Sequence, residues 1–426
     1  MKVFKFGGAS VNSADAVRNM AQIVRKHIES EPLVVVVSAM GKTTNLLEKL
    51  VPGTLPHPSD PAPEALRTQL EDYHLGIANA LIPSDMALTG KIHSLLDRLD
   101  TVRQSLNPSH HAYNYNYDQV VSFGELLSTT IIAHYLNHHG ISTLWQDARQ
   151  LIRTDSHFRE GRVDWQATEE AVQAQMAGSM NYSVIVTQGF IAGTPVAGTT
   201  TTLGREGSDY SAAILAYCLG AESVTIWKDV PGFLNADPKY FDNTVKISQI
   251  PYSEAIELAY YGASVIHPKT VKPIQNKHIP LYIRSFITPE SDGSSIGNYH
   301  TISPSTPLYI FRNNQILLSI MPRDYSFIAE ENLQVIFGVL NELGIRVNLM
   351  QNSALSFSIC VDDNPQRTGL LIERLTAMFH VRYNKDLQLV TIRYYTQEVI
   401  DSIVAGRPVL LEQRSRLTEQ LVVPVE

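Results

Sequence analysis

Cysteine is scarce: Cys218 and Cys360 are the only two in 426 residues. Two cysteines cannot build a disulfide framework or a four-cysteine zinc site, so a reducing compartment is expected. Basic residues are in deficit, with 34 Lys and Arg against 42 Asp and Glu, for a formal net charge of -8 and a pI near 6.0. A nucleic-acid partner needs a basic face, and this balance argues against one. A small anionic substrate needs only a local cationic pocket, which the balance permits. Long hydrophobic runs are missing too. The run Leu33–Val37 is far too short to span a membrane. No signal-peptide core follows Met1, because residues 2–6 run straight into a structured-looking element. A cytoplasmic chain without membrane association is expected. Hydrophobic residues are 44% and charged residues 18%, an ordinary globular balance. The length exceeds what one core serves, so two or three domains are expected.

What is present begins with an alternation of strands, glycine loops and helices. Residues 2–6 read as a buried strand, followed by Gly7-Gly8-Ala9-Ser10 and a helix over 13–28 whose inner face is Ala16, Met20, Ile23, Val24 and Ile28. Leu33–Val37 is near-continuously apolar, as a parallel strand covered on both sides should be. Ser38-Ala39-Met40-Gly41-Lys42-Thr43-Thr44 then turns into another helix, completing an α/β signature. Gly41-Lys42-Thr43 is not a P-loop, since Val36 stands where that motif requires its first glycine. Helical patterns run over 64–106 and, after a polar and aromatic loop, over 118–138. Glu125 sits in the apolar half of that last helix, where an unpartnered carboxylate would be costly. His134 and His138 lack a third ligand, so no metal site is expected.

The chain is organised around residues 199–213. A strand over 183–189 leads into a loop rich in hydroxyls, carrying Arg205 and punctuated by Gly204 and Gly207. An apolar helix follows over 209–219, closed by Gly220. Ser208 or Asp209 suits its N-cap, and Gly220 the left-handed residue that ends it. A Gly/Ser loop feeding a helix N-terminus is a ready anion site. Further strands are expected over 142–145, 223–228 and 281–285, a helix over 252–261, and a domain boundary in the Pro-, Ser- and Gly-rich stretch 288–307. Beyond it, residues 344–355 align without a gap on 406–417, with Gly344, Val347, Leu349, Gln351, Ser353 and Leu355 matched by Gly406, Val409, Leu411, Gln413, Ser415 and Leu417. Each copy reads as strand, helix, strand, strand. The second lacks the last helix of the first, and a borrowed strand such as 308–311, or pairing across a dimer, is expected to complete its sheet.

Taken together, Lys5-Phe6-Gly7-Gly8-Ala9-Ser10-Val11, Phe123-Gly124-Glu125-Leu126-Leu127-Ser128, Thr187-Gln188-Gly189-Phe190, the stretch Thr200 to Asp209, and Asp229-Val230-Pro231-Gly232 resemble the aspartokinase family in order and spacing over nearly the whole chain. The C-terminal repeat resembles that family's paired ACT domains. The resemblance implies a three-layer α/β/α sandwich with a mostly parallel sheet, the amino-acid-kinase fold, over 1–295. Ferredoxin-like α+β ACT domains would follow over 308–386 and, shortened, over 387–426. It implies transfer of the γ-phosphate of ATP, with Mg²⁺, to the β-carboxylate of L-aspartate, opening lysine, threonine and methionine synthesis. It places the nucleotide at Lys5, Phe6, Gly7, Gly8, Lys228, Asp229, Leu234, Lys239, Ser264 and Val265, and aspartate at Ser38, Thr44, Glu125, Phe190, Thr202, Arg205 and Ser208. Ala9 departs from the family's usual Thr, and Ser264 from a common Lys.

The chemistry can be argued beside the resemblance. A carboxylate nucleophile is already ionised at neutral pH, so it needs no general base. The barrier is bringing it onto an anionic triphosphate, and catalysis must come from positioning and charge neutralisation. One cation 4 Å away is worth about 4 kcal/mol at an effective dielectric near 20, so Lys5 suffices to matter. Arg205 offers a fork for the α-carboxylate, Glu125 an acceptor for the α-ammonium, and Asp209 a group to orient Lys5 or the ammonium. Rival readings are a kinase for glutamate, N-acetylglutamate or carbamate, and a non-catalytic amino-acid sensor. For regulation, Asn348, Gln351, Asn352 and Ser353 of the first repeat copy are the expected effector contacts, with lysine the first effector expected and threonine the second. A homo-oligomer, dimer or tetramer, is expected through the repeat modules.

Overall fold

The computed structural model describes residues 1–53, 61–176, 178–196, 198–263, 265–324 and 326–425. Ser264, expected beside the nucleotide, lies outside the described residues. The chain divides into two compact units. The first comprises Met1–Phe233, Lys246–Ile256 and Val265–Pro304; the second comprises Leu234–Val245, Glu257–Ser264 and Ser305–Glu426. Among the described residues no helix is long and apolar enough to cross a membrane.

The first unit is built on an eight-stranded sheet. In spatial order its strands are Gln249–Pro251, Ser294–Gly297, Leu281–Ser285, Ser223–Lys228, Lys2–Phe6, Leu33–Val37, Val184–Gln188 and Thr143–Gln146. Every pairing is parallel except that of Leu281–Ser285 with Ser294–Gly297. All five residues of Leu33–Val37 are buried, as β-branched side chains are when helices cover both faces of a sheet. Helices Ala14–Lys26, Pro63–Leu81, Met86–Ser105 and Phe123–His138 pack as one group; Trp165–Met176, Gly207–Leu219 and Pro268–Asn276 pack as another. In the first group Met20, Val24, Leu126 and Ile131 join Phe6, Val35 and Val37 in one core.

Several boundaries differ from expectation. The 118–138 helix begins earlier and is two segments, Tyr113–Val121 and Phe123–His138, joined at Ser122, whose hydroxyl donates to the Gln119 carbonyl at 3.0 Å. Residues 200–202, expected as loop, form a fully buried strand pairing antiparallel with Ile191–Gly193. The following helix is Gly207–Leu219, so Ser208 and Asp209 lie in its first turn and neither caps it. The cap is Glu206, left-handed and making no side-chain capping bond. Asp209 cannot cap because its carboxylate is taken by lysines, described below. His134 Nε2 lies 2.8 Å from Asp85 Oδ2.

The second unit centres on a six-stranded antiparallel sheet in the order Val347–Asn352, Phe357–Asp362, Leu308–Pro322, Phe379–Arg393, Thr418–Pro424, Leu411–Arg414. Two modules share it. Alternation along the strands sends Ile316, Leu318, Ile320, Ile359 and Val361 against helices Glu330–Glu342 and Pro365–Met378. In the other module Val390, Ile392, Leu421 and Val423 pack on Ile400 of helix Gln397–Val404. Residues 308–312 pair with 389–393 and supply, within this chain, the strand the second copy lacks. A linear division at 386/387 therefore cuts through Phe379–Arg393, because each of the two long central strands serves both modules. The 1–295 boundary shifts likewise, since the first unit runs on to Pro304 and gives up 234–245 and 257–264.

Candidate active site

A cavity of about 810 Å³ opens at the carboxyl ends of the central parallel strands, where open α/β sheets hold their ligands. Lys5 stands near the end of Lys2–Phe6, flanked in register by Val36 and Ile226. Its Nζ lies 2.6 Å from Asp209 Oδ1, and Lys228 Nζ lies 3.5 Å from Asp209 Oδ2. Lys228 also donates to the carbonyl of Val265. Burial pushes the Asp209 carboxyl up, but the two lysine charges outweigh it and hold the group below its ordinary range. One buried carboxylate thus fixes two cations at the N-terminal turn of Gly207–Leu219, where free N–H groups and the helix dipole also favour anions.

A second wall comes from Phe123–His138. Glu125 Oε1 accepts from the Ala39 N–H at 3.1 Å, and Ser128 Oγ donates to the Ser38 carbonyl at 2.7 Å. Residues three apart on one helix face thereby clamp the glycine loop after Leu33–Val37. The approach is close enough that a Cβ at Gly124 would come 2.9 Å from Ala39 Cβ. Glu125 Oε2 is buried with no partner among the described residues. Burial pushes its carboxyl up to about 8, against the Ala39 N–H that draws it down.

A third wall holds groups the sequence reading missed. Asp118 is fully buried and accepts from Thr202 N at 3.0 Å, Thr202 Oγ1 at 2.7 Å and Arg159 N at 2.8 Å. Burial pushes it up to about 6, while these three donors draw it back. It ties the Thr202 strand to the 157–160 loop, and both reach the cavity, as do Tyr117 and Glu206. Asp118 stands seven residues before Glu125 and was legible by the same signal, an acid in an apolar helical run. Arg159 lies in a polar loop with no such signal.

The cavity gathers Lys5, Ser38, Thr44, Glu125, Phe190, Thr202, Arg205, Ser208, Asp209 and Lys228. Thr202 differs from expectation in that its hydroxyl already donates to Asp118. Other expected nucleotide residues are not in the cavity wall. The Phe6 side chain is buried in the core, stacked on Trp227 with 6.2 Å between ring centroids, leaving only its backbone available. Gly7 and Gly8 follow it; a Cβ at Gly8 would stand 2.8 Å from the Ala39 carbonyl oxygen, so glycine lets the two loops meet. Asp229 is exposed beyond Ser223–Lys228, and Leu234 and Lys239 lie in the 234–245 segment of the second unit. In that unit the Asn348 amide is already engaged. It donates to Gln315 Oε1 at 2.8 Å and Asp362 Oδ1 at 2.9 Å, and accepts from Arg312 Nη1 at 3.1 Å. Gln351 and Ser353 are exposed.

Comparison with known proteins identifies the family. The family model described as "Amino acid kinase family" matches residues 1–285. Lysine-sensitive aspartokinase 3 of Escherichia coli (strain K12) is 32% identical over 405 residues, covering 92% of this chain and 86% of that protein. Aspartokinase 1, chloroplastic, of Arabidopsis thaliana is 31% identical over 386 residues, covering 87% of this chain and 65% of the plant protein. Among solved structures, E. coli aspartokinase III in complex with lysine and aspartate superposes with a TM-score of 0.80 at 29% identity, covering 100% of this chain and 96% of that one. The same enzyme with aspartate and ADP gives 0.80 at 28%, with the same coverage. The chain belongs to the amino acid kinase family and, within it, to the aspartokinases.

Proposed function

We propose that the cavity binds L-aspartate between Glu125 and Arg205 and presents its β-carboxylate to the γ-phosphate of ATP beside Lys5 and Lys228. The observation that carries this reading is a match of charges. Among its charged groups the cavity offers the partnerless buried oxygen of Glu125, the Arg205 guanidinium in no ion pair among the described residues, and two lysines held by one aspartate, with Glu206 Oε2 also buried without a partner nearby. L-Aspartate brings an ammonium, an α-carboxylate and a nucleophilic carboxylate, one for each. Two structures of one relative, E. coli aspartokinase III, were solved with aspartate, one of them also with ADP, and support the assignment. The lysines neutralise charge gathering between nucleophile and phosphate, and Asp209 holds them without a reorganisation cost at the moment of transfer. The backbone of Gly7 and Gly8 faces the phosphates, with Asp229 and Val265 on the nucleotide side. Among the described residues no three His, Cys, Asp or Glu converge as a metal cage. Mg²⁺, implied by the use of ATP, would enter with the nucleotide, held by phosphate oxygens and water, as its reluctance to dehydrate allows.

Regulation belongs to the second unit. Lysine is the proposed effector, with threonine second, at the strand Val347–Asn352; the E. coli relatives named lysine-sensitive and solved with lysine support the choice. Gln351 is exposed and positioned to meet an amino acid, Ser353 is exposed but its hydroxyl is engaged with Ser356, and Asn348 holds the strand in place. Val347–Asn352 and Leu411–Arg414 are edge strands, and an unpaired edge is a template for another copy, so assembly through this sheet is proposed.

The test is trapping of the acyl phosphate with hydroxylamine, using ATP with aspartate, glutamate, N-acetylglutamate and carbamate in turn. Hydroxamate is expected from aspartate alone. Arg205→Ala should raise the KM for aspartate at least roughly tenfold, the scale of one charge-assisted pair, and leave that for ATP nearly unchanged. Weakened ATP with unchanged aspartate would reverse the division of the cavity.

A further inference from the structure

Arg159 adopts a backbone conformation its residue type does not favour. Its φ is +71°, in the left-handed region where a Cβ is crowded and glycine is the undemanding choice. Among the described residues nine non-glycine positions are left-handed, and three of them, Arg159, Phe190 and Glu206, line the cavity above. That concentration marks a site, because such backbone persists where the surroundings over-determine it. The surroundings here are specific. Asp118 Oδ2 accepts from the Arg159 N–H at 2.8 Å. A Cβ at Gly204 would stand 3.3 Å from the Arg159 carbonyl oxygen, so the residue sits directly against the turn that carries Arg205.

The side chain is held as deliberately as the backbone. The guanidinium carbon lies 4.3 Å from the centroid of the Tyr117 ring and 5.6 Å from that of Tyr113. Such contacts engage the face of the guanidinium and leave its in-plane N–H donors available. Among the described residues no carboxylate forms an ion pair with it, whereas Lys5 and Lys228 both have Asp209. Asp118 meets only its backbone. The cavity thus carries two lysines with an internal counter-ion and, together on another wall, two guanidiniums without one.

We propose that Arg159 shares the α-carboxylate of L-aspartate with Arg205, so that two guanidiniums read the amino-acid end of the substrate. The proposal rests on the assignment of this cavity to aspartate. A carboxylate has lone pairs for two forks, and pairing the α-carboxylate twice selects α-amino dicarboxylates over amines that carry only the distal acid. The position is one where glycine would suit the fold better, and the arginine there is accounted for by what its side chain binds.

Arg159→Gly and Arg159→Lys separate fold from recognition. Glycine removes the guanidinium and suits φ +71°, so Tm should hold or rise. The assay measures hydroxamate formation with L-aspartate, and competition against it by 3-aminopropanoate, which is aspartate without its α-carboxylate. In Arg159→Gly the KM for aspartate should rise roughly 10- to 100-fold, the scale of one charge-assisted pair. The KM for ATP and the Ki of 3-aminopropanoate should stay within about twofold, since neither involves the α-carboxylate. Arg159→Lys, keeping charge without the fork, should fall between. An unchanged KM for aspartate, or an equal loss on 3-aminopropanoate, overturns the proposal while leaving the cavity assignment intact. A wild-type enzyme that makes no hydroxamate from aspartate overturns both.

Discussion

Replacing Glu125 with Gln separates its charge from its shape. Burial pushes the wild-type carboxyl from 4.5 up to about 8, and one of its oxygens has no partner. At pH 7 the empty site therefore holds it about nine-tenths protonated. An ammonium beside that oxygen favours the carboxylate, so aspartate binding should drive the proton off. The expected release is about 0.9 proton per site at pH 7 and about 0.5 at pH 8. By the same linkage the affinity for aspartate falls as pH drops below 8, roughly ninefold between pH 7 and pH 6. Isothermal titration in two buffers of different ionisation enthalpy reads the release directly. In Glu125→Gln the release should vanish, the pH slope should flatten, and affinity at pH 8 should drop roughly 10- to 100-fold. Folding gives an independent check. The group titrates near 4.5 unfolded and near 8 folded, so the stability it contributes is present below 4.5 and lost as pH rises through 8. At pH 7 that loss is about 3 kcal/mol, and Glu125→Gln removes it. The empty variant should melt higher than wild type at pH 7 and nearly with it at pH 5. A wild-type titration that releases no proton, or a variant that keeps the wild-type pH slope, refutes the placement of the ammonium at Glu125.

Three further outcomes are expected. Lys5→Ala should lower kcat by roughly 10²-fold or more, the scale of losing a transition-state donor, and near-wild-type turnover would remove Lys5 from the mechanism. Asp118→Ala leaves two backbone N–H groups and the Thr202 hydroxyl without their acceptor, so it should cost about 3 kcal/mol in urea unfolding and raise the KM for aspartate; unchanged stability would show that the network holds nothing. Rising lysine should inhibit the wild type and inhibit Asn348→Ala less, with uninhibited kcat preserved. Identical curves would remove Asn348 from the response, and no inhibition by lysine or threonine would remove the regulatory reading.

Much of the site was legible because its residues contradict their surroundings. Lys5 interrupts a buried strand, and Glu125 interrupts an apolar helix. An ion that burial would penalise needs a reason to be there. Arg205 and Asp209 stood out by their place between a glycine loop and a helix. Asp118 carried the same signal as Glu125 and was passed over, and Arg159 carried none, since an arginine in a polar loop is ordinary until its backbone and its neighbours are known.

Local pattern alone therefore pointed to the parallel strands and to most strand positions. Strand Leu281–Ser285 declares itself through its alternating burial, and helix Gly207–Leu219 through an apolar run closed by Gly220, signals that act over a few residues. The shortened second copy pointed to a sheet completed from elsewhere, by a strand such as 308–311 or across a dimer. Tertiary structure decided what sequence distance hides. Residues 308–312 close a sheet with 389–393, so the two modules share strands that no linear boundary divides. Asp118 reaches 84 positions along the chain to hold Thr202, and one carboxylate at 209 fixes lysines at 5 and 228. Each of these depends on which groups burial leaves without water, and that is set only once the whole chain has packed.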